Sequence, residues 1–114
     1  LDVELELAAE EVDGRLLAEL GRLEPHGHGN PEPLARVAPL RLLVPPRCFG
    51  NGHLSALAAG AGGGRLRLVG WRWEERAADL DGGADGRFEA LGHLEHDDYA
   101  GAPRLRLVDC RPLR

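Results

Sequence analysis

No apolar run in the 114 residues approaches the roughly 20 needed for a helix to cross a bilayer. No charged segment leads into an apolar signal core either, so a cytoplasmic chain without membrane partners is expected. The chain opens on Leu1 rather than methionine, which suggests a fragment or a processed piece. Cysteine is limited to Cys48 and Cys110, too few for a disulfide scaffold or a four-thiolate zinc site, and free thiols are the simpler reading. Lysine is absent, and all fourteen basic residues are arginine. The GAGGG run at 60–64 is therefore a turn and not a phosphate loop, which needs a lysine followed by serine or threonine. No serine or cysteine nucleophile stands with an arranged base, and Cys48 is near His53 only in sequence. His96, Asp97 and Asp98 could touch a divalent ion, but no histidine combination, including His26, His28, His53 and His93, has catalytic spacing. No catalytic residue, cofactor or bound metal is expected in this chain.

What is present suits one modest domain with one core. Hydrophobic residues make up 43%, enough to argue against wholesale disorder, and 16 glycines argue for many turns. The net charge of -5 argues at first against nucleic acid, but it is unevenly spread. Residues 1–24 balance at -6, residues 25–76 at +4 and residues 77–114 at -3. The arginines of the middle suit phosphate and base contacts through a rigid donor fork, although a codon-biased genome would give the same usage.

Leu1, Val3, Leu5 and Leu7 alternate with Asp2, Glu4 and Glu6, a strand pattern. Nothing nearby makes a hairpin with it, so its partner is expected upstream, outside this chain. Residues 8–23 read as one helix, with Val12, Leu16, Leu20 and Leu23 at helical spacing, and Pro25 ends it. From residue 34 the pattern changes to short strands at about 34–44, 53–59, 65–73, 87–95 and 104–110, with a short helix at 74–81. This predicts an all-β fold: a small, closed, five-stranded barrel resembling an OB-fold, preceded by one strand and one connecting helix. Closure would also remove exposed strand edges.

The run RLRLVGWRW sets Arg65, Arg67, Val69, Trp71 and Trp73 on one alternating face and Leu66, Leu68, Gly70 and Arg72 on the other. Neither face is cleanly apolar, so a bulge or a switch between core and surface is expected. One tryptophan is expected inside, while the other is available to stack on a base. In the last strand Arg104 and Arg106 project together and, with Arg65, Arg67 or Arg72, could form a phosphate track; the bland alternative is a solvated charged face. Tyr99, in the turn HDDYAG, either caps the barrel or meets a base, and Asp97 and Asp98 beside it would repel phosphates.

The segment LEPHGHGNPEP at 23–33 resembles the LxPFGxGNPEP joint of the single-strand-specific exonuclease RecJ family. Further similarities follow in order: GHL at 52–54, RLVGW at 67–71, LEHDDYAG at 94–101 and LRLVDCRP at 105–112. Gly29, Asn30, Pro31, Glu32 and Pro33 are the specific part, and they read as a structural joint whose prolines stiffen and whose glycine bends the chain. His26, His28, Ser55 and His96 depart from the usual family residues, and Arg104 stands near a common glutamine.

The resemblance implies a parent that degrades single-stranded DNA from its 5′ end in DNA repair and recombination. Its Mn2+ or Mg2+ would be held in a catalytic core outside this chain. The family's DHH and DHHA1 motifs do not occur here. The implied organisation is residues 1–24 as strand and helix from the end of that core, 25–33 as joint, and 34–114 as OB-fold domain. The implied role is to bind single-stranded DNA and guide it to the core, with the upstream DHH and DHHA1 domains, and DNA-repair proteins, as partners. An OB-fold used only for structure or protein contacts is the alternative, favoured by the net charge and the acidic 94–98 region.

Overall fold

The computed structural model describes residues 3–23, 33–81, 86–97 and 99–113. Strand β1 (Leu5–Leu7) pairs in parallel with β2 (Leu34–Leu42), Leu5 opposite Ala35 and Leu7 opposite Val37. The first strand thus finds its neighbour within this chain, correcting the expectation of an upstream partner. That neighbour lies far along the sequence, and parallel pairing across such a crossover leaves no local hairpin signal.

The helix expected over 8–23 is two elements. A 3-10 turn spans Ala9–Glu11, and α1 spans Gly14–Leu23. Asp13 makes the break: its Oδ1 accepts the Leu16 backbone N–H at 2.8 Å, capping α1 as a short carboxylate does better than it serves inside a helix. Leu16, Leu17 and Leu20 pack against the core.

The remaining strands are β3 (Arg47–Phe49), β4 (His53–Gly60), β5 (Arg65–Gly70), β6 (Arg87–Asp97) and β7 (Ala102–Pro112). All seven lie in one sheet ordered β1-β2-β6-β7-β5-β4-β3. β2 runs antiparallel to β6 up to Val37 opposite Ala90, shifts register around Pro39, and then pairs its Leu40–Leu42 end with both β6 and β4. This curls the sheet, but β1 and β3 remain as terminal strands, each paired on one side.

The fold is therefore a mostly-β, OB-like sheet with helices, not the closed, purely β, five-stranded barrel expected. The CFGNG segment, expected as a gap between strands, contributes the additional strand β3 through a tight hairpin in which Phe49 faces His53. The segment after Trp73 forms a 3-10 helix, Glu74–Asp81, that lowers Leu80 into the core.

Phe88, Leu40, Leu54, Leu66, Leu68, Leu80, Leu105 and Val37 are the largest fully buried side chains. Among the described residues none that is polar or charged is buried, and no buried side-chain nitrogen or oxygen lacks a partner. No described helix is long and apolar enough to cross a membrane.

Candidate nucleic-acid interface

The alternation of β5 sends Leu66 and Leu68 inward and leaves Arg65 and Arg67 exposed. The expected switch between faces comes at the strand's end. A Cβ on Gly70 would collide with Trp73, so glycine there lets the Trp73 ring fold back into the core. Trp73 is consequently 7% exposed and is a core residue, not an open stacking surface. The Arg76 guanidinium sits 4.0 Å from its ring centroid, and Arg76 also pairs with Asp79 at 2.9 Å and Asp109 at 2.7 Å.

Between these residues the backbone turns at Arg72, in the left-handed region at φ 62°. Its N–H donates to His53 Nδ1 at 3.0 Å. The turn throws Trp71 outward, to 44% exposure. There it meets two rings from the β3–β4 hairpin. His53 lies 5.1 Å from Trp71 and Phe49 lies 5.9 Å from it, both edge-on, while Phe49 and His53 are 5.5 Å apart. Edge-on packing of this kind holds a ring and leaves its face available. Phe49 is itself 41% exposed. Sequence reasoning missed Phe49 and treated His53 only as a candidate ligand. The signal was the FGNGH hairpin, whose register sets the two rings opposite each other.

The expected arginine track divides into two parts. Arg67 lies opposite Arg104 in the parallel β5–β7 register, so both parts share one face. Arg65 and Arg67 have no carboxylate partner among the described residues. They line a cleft of about 210 Å³ with Val12, Leu57, Ala102 and Pro103. Arg104 and Arg106, by contrast, converge on Glu95. Arg104 Nη2 is 2.5 Å from Glu95 Oε2, and Arg106 Nε is 2.9 Å from Glu95 Oε1. Asp97 Oδ2 lies 3.7 Å from Arg104 Nη1. Arg104 also stands 5.7 Å from the Trp71 ring centroid, at the outer range of a cation–π contact. Arg72 is exposed beside Trp71.

Tyr99 is fully exposed and caps nothing. Asp97 Oδ1 accepts the backbone N–H groups of Tyr99 at 3.0 Å and Ala100 at 3.2 Å, which stiffens the turn that presents it. Of the joint, Gly29, Asn30, Pro31 and Glu32 lie outside the described residues, while the Pro33 carbonyl lies 3.2 Å from His93 Nδ1. Asp98 also lies outside them. Among the described residues no group of three or more His, Cys, Asp or Glu side chains could hold a metal ion. Burial pushes the Cys110 thiol up to about 11, whereas Cys48 is exposed.

The family model described as the RecJ OB domain matches residues 3–109. A crystal structure of RecJ in complex with Mn2+ from Thermus thermophilus is similar, with a TM-score of 0.54 and 28% identity over 88% of this chain. The match covers 14% of that RecJ chain. No curated protein sequence matches.

Proposed function

The chain belongs to the RecJ OB-domain family, and on that premise we propose that it binds single-stranded DNA as an accessory domain of a RecJ-like 5′–3′ exonuclease. It would guide the strand to a catalytic core outside this chain. The observation that carries this reading is the half-exposed Trp71, propped edge-on by Phe49 and His53, on the same sheet as Arg65 and Arg67 with their uncompensated charge. Stacking on an aromatic contributes about 1–3 kcal/mol per base without regard to sequence. Arginines on the backbone add a salt-dependent attraction. Together they suit an open strand, whose bases are free to leave one another.

In this reading residues 34–114 are the binding domain, 25–33 the joint and 1–24 the connection to DHH and DHHA1 domains of a cytoplasmic parent. Mn2+ or Mg2+ would belong to that parent's core.

The test is titration of labelled single-stranded and duplex DNA at several salt concentrations. Wild type should prefer the single strand. Trp71→Ala should weaken single-strand binding roughly tenfold, as loss of one stacked base implies. Arg65→Gln with Arg67→Gln should flatten the salt dependence by about 0.7 logarithmic units per phosphate released. A folded chain that binds no single strand at low salt would refute the proposal. A role in protein contacts alone would then be favoured, with Leu43 and Val44, 44% and 48% exposed, as its surface.

A further inference from the structure

We propose that Glu95 acts as a strandedness filter, setting how strongly this face rejects duplex DNA. The inference rests on the single-strand-binding reading above. Both oxygens of the Glu95 carboxylate are engaged, Oε2 by Arg104 and Oε1 by Arg106. Its side chain is 22% exposed, so the pairing is partly shielded from water. Asp97 adds a second carboxylate at 3.7 Å from Arg104. Two arginines thus face two carboxylates, and the β6–β7 surface next to Trp71 carries little net charge. One step across the sheet, Arg65 and Arg67 keep their charge.

The two parts of this face treat the two forms of DNA differently. A single strand is flexible. It can lay phosphates over Arg65 and Arg67, offer a base to Trp71, and route the rest of its backbone away from Glu95. A duplex is stiff, its bases are already stacked on each other, and it carries a charge for about every 1.7 Å of its length. It can bind only through phosphates, and wherever it lies across this face some of them meet Glu95 and Asp97. Misplaced like charges of this kind discriminate against a wrong partner more than they weaken the right one.

The experiment is Glu95→Gln in this chain, which keeps the shape and one acceptor oxygen while removing the charge. Duplex affinity should rise roughly tenfold and single-strand affinity about threefold, so selectivity falls and the salt dependence of duplex binding steepens. Asp97→Asn should move both affinities in the same direction by less, since Oδ1 keeps its turn bonds and the Oδ2 contact is long. Should Glu95→Gln fail to fold by urea titration, Asp97→Asn carries the test. An unchanged ratio of single-strand to duplex affinity in the folded variant overturns the filter. If that ratio is unchanged while Trp71→Ala still weakens binding, only the role of Glu95 is lost. If wild type binds no single strand, the function above and this inference fall together.

Discussion

Arg76 is the residue whose contacts tie most of the fold's irregular parts together. It covers the Trp73 ring, anchors the 3-10 helix through Asp79 and reaches β7 through Asp109. The hydrogen bond from Arg76 holds the Asp109 carboxyl below its ordinary value of 3.8, outweighing the burial that would raise it. A carboxylate whose folded value is lowered contributes stability above its unfolded value and loses it as pH falls through the folded one. Both side chains are 39% exposed, so solvent screening keeps the pair to about 0.5–1 kcal/mol. Asp109→Asn should therefore lower stability by about that much at pH 7. The deficit should shrink as pH falls from 3.8 through the lowered value. Urea denaturation across pH checks this, and a deficit independent of pH would count against the pair. None of this was legible in sequence, where Asp109 and Arg76 are 33 positions apart in different elements.

At the scale of elements, two glycines mark where strands and turns press closest. Gly64 donates its N–H to Glu10 Oε2 at 2.7 Å, fastening the N-terminal 3-10 turn to the β4–β5 hairpin. The GAGGG run is a turn, as its composition implies, but its task of receiving Glu10 depends on a contact across 54 residues. Gly92 sits at the β6 register shift, where a Cβ would collide with the Arg106 carbonyl. Backbone cannot retreat as a flexible side chain can. Gly92→Ala should therefore cost about 1–3 kcal/mol, and thermal unfolding followed by circular dichroism would measure it. A near-neutral effect would mean that β6 and β7 separate easily there. The helix break at Asp13 was readable in principle, since aspartate favours a cap over a helix interior. The apolar spacing of Val12, Leu16 and Leu20 ran through the break and hid it.

For the whole molecule, the functional reading separates binding from chemistry. Pure chain incubated with Mn2+ and single-stranded DNA is expected to bind without cutting. Reproducible cleavage, followed by gel electrophoresis, would overturn that division. The sequence by itself determined that the chain from residue 34 is strand-rich, because alternation with period two is local and survives without a fold. It also determined the arginines of β5 and β7 and the GNPEP joint, which are simply residues in order. Only the tertiary structure decided that β1 pairs with β2, that seven strands form a curled sheet with free ends, and that Trp73 is buried while Trp71 is exposed. It alone brought Phe49 and His53 to Trp71 and set Glu95 between Arg104 and Arg106. The physical reason is common to all of these. Which side chains meet across a sheet is fixed by the register between distant strands, and a one-residue shift in that register would move each of them to the other face.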